Sequence, residues 1–443
     1  MTILRQSLLT TILAIATTGA MAQSNGSNSS YSRFGLGTLT DRSQGFNKSM
    51  GGVAQGLRSG NRVNMLNPAS YSAVDSLTFI FDMGMGLQFG NLKQAGNSIN
   101  VRNTTLNHIN AVARLSRGLG ISFGFAPYSN IGYNFSREGR VGTDNASGQP
   151  VISRNTYYGN GGTHEMYVGV GWNPLHRLSI GANIAYLWGD YNHSMAQQFY
   201  EGTTSTNAYS SLSAEYSGNI RTWKADIGIQ YPIRMGKADW LTLGATMGIG
   251  HNTKDDASMN RYTSAGDTLS VEAKDAFQLP YTYSAGLAWQ HKGRLTLAAD
   301  YTREQWADCV LPVTFYNERN ELTMEARKGQ YLNRNKVCFG AEFIPNPLGR
   351  NYGDHIEYRL GCSYSTPYVK IAGADGPREY GITAGLGLPI SPKTISGSRS
   401  RINIGLQWMH RAPSATSMVT ENYYMLNIGF TFNEQWFSKW KFN

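Results

Sequence analysis

The chain has 443 residues, of which 50 are Gly, 26 Tyr and 9 Trp, while only 15% are charged. Its formal net charge is +10, but the basic residues are spread along the sequence without a dense cluster, which argues against nucleic-acid binding. The three cysteines (Cys309, Cys338 and Cys362) are too few for a disulfide scaffold and have no metal-ligand spacing; we predict no metal and no cofactor, and the redox state of the thiols stays open.

The first predicted element is a secretory signal peptide over residues 1–22. Arg5 supplies the positive charge, Leu8 to Thr18 form the short apolar stretch, and residues 20–22 (AMA) form an A-x-A cleavage site. The alternative, an N-terminal membrane anchor, would need a longer apolar run of ~20 residues. We therefore expect a mature chain that begins at Gln23 and lies outside the cytoplasm.

Residues 23–74 are rich in Gly, Asn and Ser and have two interpretations. The segment is either a flexible polar tail or a plug (a hatch) folded into the domain that follows. Pro68 fixes its own φ and keeps Asn67 extended, which predicts a stiff exit into the first strand. A solvated tail has little reason to retain apolar residues, so the plug is favoured by those present: Phe34, Leu36, Leu39, Met50, Val53, Ala54, Leu57, Met65 and Leu66.

From residue 75 to 432 the dominant pattern has a period of two, with one apolar face and one small or polar face. Fourteen such segments are predicted as strands: 77–89, 106–116, 119–135, 156–173, 177–194, 212–232, 239–252, 278–291, 294–308, 334–344, 355–366, 378–389, 400–411 and 422–432. The predicted fold class is all-β, a transmembrane antiparallel β-barrel of about 14 strands with an N-terminal plug.

A soluble sandwich with one wet face would show the same alternation. Two features favour the barrel. The non-apolar face is too small and polar for a packed inner layer, and aromatic residues recur near the ends of the strands, as at a membrane interface. These aromatic residues are Trp172, Tyr231, Trp289, Tyr301 and Trp408.

The connections between the segments alternate in length. Short turns follow most even-numbered segments, and longer polar stretches follow odd-numbered ones, at 136–155, 195–211, 253–277 and 309–333. This asymmetry predicts the outer membrane of a gram-negative bacterium, with both termini in the periplasm. Residues 433–443 (NEQWFSKWKFN) are predicted to form a periplasmic tail, which would either anchor at the membrane interface or contact a periplasmic or secretion partner.

Residues 35–79 resemble the N-terminal hatch of the FadL family, whose members carry long-chain fatty acids and other hydrophobic compounds across the outer membrane. Gly51 and Gly52 stand at the place of the family's small-residue stretch. Asn67, Pro68 and Ala69 match the Asn-Pro-Ala corner before its first strand. The resemblance implies uptake of such compounds into the lumen. It also implies a monomer that contacts outer-membrane lipid and a hydrophobic small molecule and is folded by the barrel-assembly machinery.

The resemblance further implies a lateral exit through the wall, where the third strand of the family bends inward. The third segment contains Pro127, which removes a ladder donor and indicates a break or bulge. The candidate lip of the exit consists of Pro127, Tyr128, Ser129 and Asn130. The alternative is an ordinary proline at a strand end.

Three basic residues that the alternation places toward the lumen are candidates for contact with a fatty-acid carboxylate: Arg114, Lys224 and Arg359. The alternative is that they cross-link acidic groups of the lumen. No GDSL-like or HExxH sequence is present, and an enzyme is not predicted.

A non-transporting barrel is the second hypothesis. PorV-like proteins of the type IX secretion system resemble the FadL family in fold and hatch, but they act as carriers or scaffolds at the cell surface. The external loops of this chain are polar and offer no long apolar stretch for capturing a ligand.

Overall fold

The computed structural model describes residues 28–76, 78–144, 148–175, 177–201, 208–390 and 400–435. The predicted signal peptide, and the predicted tail beyond residue 435, lie outside the described residues. No helix in the described part of the chain is long and apolar enough to cross a membrane.

Fourteen antiparallel strands form a closed barrel, which confirms the predicted fold class. Closure follows because the first strand pairs with both the second and the last. We number the barrel strands β1 (Thr78–Gln94), β2 (Asn97–Ser116), β3 (Leu119–Thr143), β4 (Pro150–Trp172), β5 (Ser179–Glu201), β6 (Ala208–Arg234), β7 (Asp239–Gly248), β8 (Thr282–His291), β9 (Leu295–Glu304), β10 (Arg334–Phe343), β11 (Glu357–Ser365), β12 (Arg378–Pro389), β13 (Arg401–Ala412) and β14 (Thr420–Gln435).

The predicted alternation is seen in the wall. Along β4, Met166, Val168 and Val170 are exposed on the outer surface, whereas Tyr167 between them is buried inside. Closure turns one face of every strand outward, so the apolar side chains form a continuous outer band of the kind that a bilayer accommodates. The cysteines are free thiols, with Cys362 exposed and its two counterparts buried.

Two predicted loops, 136–155 and 195–211, are largely wrong. β3 and β4 remain paired out to Thr143 and Pro150, and β5 and β6 pair from Gln197–Leu212 outward to Tyr200–Ala208. These polar stretches lack the one-sided apolar pattern because both of their faces are polar. Backbone pairing within each hairpin, β3 with β4 and β5 with β6, nevertheless continues.

We call this end of the barrel the loop end, and the end where β1 begins and β14 finishes the turn end. Connections at the loop end contain short strand pairs: His251–Asn252 with Gln278–Leu279, Ala257–Thr263 with Thr268–Ala273, Leu311–Tyr316 with Leu322–Arg327, and Lys370–Ile371 with Ala374–Asp375. Two short 3₁₀ helices, Trp306–Asp308 and Tyr352–His355, lie in the connections before β10 and β11.

The loop-end connections share an apolar core. Trp306, Phe277, Tyr331 and Met324 are buried together, and Leu36 of the N-terminal segment packs into the same cluster. The expectation of purely polar loops therefore missed this core. Its members are scattered singly through polar sequence, and only the folding of three connections against one another brings them together.

The N-terminal segment 28–76, called the hatch below, lies inside the barrel. It contains a 3₁₀ helix at Ser30–Arg33, a two-residue strand at Thr38–Leu39, a short α-helix, α1, at Gly45–Lys48, and a 3₁₀ helix at Pro68–Ala73. Its apolar side chains are buried against the inner wall, as the plug interpretation predicted.

Candidate functional site

The hatch runs lengthwise through the lumen. At the loop end, the Ser29 hydroxyl donates to Glu421, the second residue of β14, at 2.7 Å. Near the turn end, the Asn67 side-chain amide donates to the carbonyl of Ile229 in β6 at 3.2 Å. The first described residues thus lie at the end opposite to the start of β1. The predicted periplasmic position of both termini stays a prediction.

Glycines let the hatch approach the wall. Gly51 has a φ of +71°, and a Cβ on Gly361 of β11 would lie only 2.1 Å from its nitrogen. The Gly51 N–H donates to the Thr383 hydroxyl of β12 at 2.9 Å, and the N–H of Gly52 (φ +85°) donates to the carbonyl of Asn47 at 2.9 Å. Backbone-to-backbone contact of this kind leaves no room for a side chain on either partner.

The Asn-Pro-Ala corner caps a helix. The Asn67 side chain accepts from the Ala69 N–H at 3.1 Å and donates to the Gln55 carbonyl at 2.9 Å. Pro68 occupies the first position of the 3₁₀ helix, where its missing N–H has no partner to lose. The sequence predicted that the corner leads directly into β1. Instead, the 3₁₀ helix Pro68–Ala73, which packs against β4–β6, lies between the corner and β1.

A first group of charges ties the hatch to the wall at Arg42. The guanidinium of Arg42 lies 3.1 Å from Glu165 of β4 and 4.0 Å from Asp226 of β6. Lys224 lies 3.6 Å from Glu165 and also pairs with Asp226. Lys224 faces the lumen, as predicted, and is already engaged by two carboxylates.

A second group centres on Arg62 of the hatch. Its guanidinium lies 2.8 Å from Glu342 of β10 and 2.7 Å from Glu357 of β11. Arg359, which is 2% exposed, pairs with both of these carboxylates. Arg401 of β13 lies 2.9 Å from Glu357. Three guanidinium groups therefore share two buried carboxylates.

The structure does not bring the three candidate ligand-binding cations together. Arg114 lies near the turn end, where it donates to the carbonyls of Val74 (3.3 Å) and Ser116 (3.0 Å). The engagement of Lys224 and Arg359 by carboxylates favours the cross-linking alternative for those two residues. A contact with a ligand carboxylate stays a prediction for all three.

The wall has a gap beside the predicted exit. The β2–β3 ladder ends at Ile109–Phe125. From there toward the loop end, the pairing partners of β3 among the described residues are β4, on its other side, and the hatch. There, Leu39 lies opposite Ser129, and the Thr40 N–H donates to the Tyr128 carbonyl at 3.0 Å.

The four predicted lip residues lie in this part of β3. The strand shifts its register against β4 between Pro127 and Ser129, and Asn130 lies opposite Thr38 of the hatch. The hatch strand thus occupies the edge that β2 leaves unpaired. Whether Pro127 to Asn130 form a lateral exit stays a prediction.

A cavity of about 230 Å³ lies between the hatch and the wall and reaches both sides of the gap, at Asn107 and Pro127. Five acidic and five basic side chains line it: Asp41, Asp226, Asp300, Glu304 and Glu379, with Arg42, Lys48, Arg334, Lys336 and Arg411. Burial would raise the pKa of Asp41, but the ammonium groups of Lys336 and Lys48 lower that pKa to about 2. The cavity is therefore ionic.

Arg42 and Arg62 were not among the residues predicted from the sequence to belong to the site. The sequence nevertheless indicated that these residues need ionic partners, because they belong to a segment predicted to fill the lumen and a buried charge requires an opposite charge nearby. The identity of these partners could not be predicted. Among the described residues, no group of three or more His, Cys, Asp or Glu is arranged to hold a metal ion.

The family model of BamG matches residues 4–443, nearly the whole chain. The chain belongs to the BamG family. No curated protein sequence matches it.

Solved structures share the fold of this BamG-family chain. The toluene transporter TodX of Pseudomonas putida is 16% identical, with 90% of this chain and 99% of TodX covered at a TM-score of 0.56. The toluene transporter TbuX of Ralstonia pickettii is 15% identical (87% and 97% covered, TM-score 0.56), and a FadL homologue of Pseudomonas aeruginosa is 12% identical (88% and 97% covered, TM-score 0.57). The predicted FadL-like fold is thereby confirmed.

Proposed function

We propose that the protein is a non-transporting outer-membrane barrel that serves as a structural subunit of the barrel-assembly machinery. The observation that carries this proposal is the fixation of the hatch by two buried groups of charges, at Arg42 and at Arg62. Removing one partner of a buried ion pair costs about 3–5 kcal/mol, because the other charge is left uncompensated. A hatch held in this way suits a rigid building block.

The lumen cavity supports the same proposal. Sites for hydrophobic small molecules are lined mainly by apolar and aromatic side chains, with few polar groups. The lining of the cavity beside the gap instead includes ten charged side chains. The name of the family, BamG, associates it with barrel assembly. The outer apolar band and the predicted signal peptide support a location in the outer membrane.

Uptake of hydrophobic compounds, such as long-chain fatty acids, is the second candidate function. It is favoured by the gap between β2 and β3, which opens onto the cavity, and by the hydrocarbon transporters that share the fold. In this function, a ligand would enter the lumen and leave laterally past Pro127. The hatch strand Thr38–Leu39 would then have to leave the edge of β3.

A disulfide across the gap distinguishes between the two candidate functions, because only transport requires the hatch strand to leave the edge of β3. Leu39 and Ser129 are directly opposite each other in an antiparallel pair. Since the adjacent Thr40 N–H bonds to the Tyr128 carbonyl, they form the non-hydrogen-bonded pair, with Cα atoms about 4.5 Å apart, within reach of a disulfide. The double variant Leu39→Cys/Ser129→Cys, in a Cys362→Ser background, should fix the hatch strand in the gap. Each single variant is the matched control.

The measurement uses cells that lack their own copy of the protein and express the full chain. We expect the oxidised variant to co-purify with barrel-assembly proteins and to restore the level of folded outer-membrane barrels as well as the single variants do. No protein-dependent uptake of labelled fatty acid or toluene is expected. Uptake that the disulfide abolishes and a reductant restores would instead establish lateral transport and refute the structural role.

A further inference from the structure

The turn end contains a larger cavity, of about 1030 Å³, which we call the vestibule. It is lined by the hatch between Phe46 and Ser76, by the connection from β10 to β11, and by the start of β13. Arg350 and Tyr352, which line it, are exposed side chains. The vestibule is therefore open to the solution on the side of the barrel that we place in the periplasm.

The charge of the vestibule is unbalanced. Five arginines line it: Arg58, Arg62, Arg114, Arg350 and Arg401. Among the described residues, only three carboxylates do so. Two of them, Glu342 and Glu357, already pair with guanidinium groups of the second charge group, and the third, Asp75, lies against Gly60. The vestibule thus carries an excess of positive charge.

Three of these arginines, Arg58, Arg114 and Arg350, have no ionic partner among the described residues. The Arg58 guanidinium donates to the Ser179 hydroxyl at 2.8 Å and to the Ser72 hydroxyl at 3.2 Å, and Arg114 donates only to backbone carbonyls. No carboxylate in the described ranges lies within ion-pair distance of either side chain. Burial lowers the pKa of Arg58 to about 10, so this group is still charged at neutral pH.

Apolar side chains lie beside these charges. Ile344, which is half-buried, and Tyr352, which is exposed, line the same cavity. A matching occupant would present carboxylates to Arg58 and Arg114 and apolar groups to Ile344 and Tyr352. Lipid head groups surround the outside of a barrel, whereas the vestibule lies within the ring of strands, which favours a protein segment that enters along the barrel axis.

We propose that the vestibule docks an acidic segment of a periplasmic protein, in which carboxylates alternate with apolar side chains. This inference rests on the proposed function, because it specifies where and by what chemistry a periplasmic partner of the barrel binds.

The test uses the full chain in uncharged detergent micelles. A fluorescent peptide in which Glu alternates with Leu is titrated by anisotropy, and a peptide with Lys in place of Glu is the control ligand. The double variant Arg58→Gln/Arg114→Gln should bind the Glu peptide at least about tenfold more weakly than the wild type, since it removes two of the three unpaired charges. The matched variant Arg137→Gln/Arg319→Gln makes the same charge change at exposed loop-end positions and should bind as the wild type does.

Heat-dependent migration on gels verifies that each variant is folded, and Arg58→Lys/Arg114→Lys should retain most of the affinity. Equal binding of the Lys peptide, or unchanged affinity of the Gln double variant, would overturn the proposal. Displacement of the Glu peptide by phosphatidylglycerol would assign the vestibule to anionic lipid and overturn it as well. Co-purification with barrel-assembly proteins is a separate readout: its absence would refute the proposed function, whereas its retention together with failed peptide binding would refute only the docking site.

Discussion

Replacing Glu357 by Gln tests whether buried charges hold the hatch in the barrel. Glu357 is 1% exposed, and it pairs with Arg62 of the hatch, Arg359 of β11 and Arg401 of β13. The variant would leave these three guanidinium groups with only one carboxylate, Glu342. Breaking a buried pair in this way costs about 3–5 kcal/mol, because the remaining charges are uncompensated.

The assay is urea unfolding of the purified barrel, followed by gel migration, together with limited proteolysis of the hatch. With a slope of about 3 kcal/mol per M, the expected loss lowers the urea midpoint by about 1 M or more. Glu138→Gln is the matched control, because Glu138 pairs with Arg154 at the exposed loop end, and no measurable change is expected there. Equal midpoints for the two variants, with the hatch equally protected, would refute the role of the buried charges.

Gly361→Ala should sharply reduce the folded fraction on gels, because the new Cβ would lie 2.1 Å from the hatch backbone, whereas Gly353→Ala, with no heavy atom within 4 Å, should fold normally. Asn67→Ala removes a helix cap and should cost about 1–2 kcal/mol in urea unfolding, while Asn67→Ser keeps an accepting oxygen and should lose less; the reverse order would contradict the capping role. Burial raises the pKa of the Cys309 thiol to about 12. With the other two cysteines replaced by Ser, it should therefore resist maleimide at pH 8 until the chain is unfolded, and rapid labelling of the folded protein would contradict this burial.

The strand pattern was predictable because a strand in a barrel wall has two different environments, one on each face. Leu243 and Met247 of β7 are exposed on the outer surface, as their alternation with Thr and Gly predicted. The same rule correctly placed Lys224 and Arg359 in the lumen. The rule fails beyond the apolar band, where both faces of β3 to β6 are polar and the extended hairpins had been predicted as loops.

The candidate site was predictable only in part. The plug, its glycines and the Asn67–Pro68 corner are local features, and each carries a recognisable pattern. The partners of the hatch are not local: Arg62 bonds to Glu342 and Glu357, which lie 280 and 295 positions further along the chain. The sequence around Arg62 does not indicate that it pairs with Glu342 and Glu357, and the sequence around these two residues does not indicate Arg62.

By itself, the sequence determined the class of fold, the number of strands and the face on which each side chain lies, because these follow from short-range alternation and from closure of the sheet. Only the tertiary structure decided which charges meet in the lumen, where β3 separates from β2, and which scattered apolar residues cover the loop end. Those outcomes depend on the register of the strands and on the path of the hatch through the barrel. A shift of one residue in the register of a strand would move each of its side chains to the opposite face of the wall and so change the residues that it contacts.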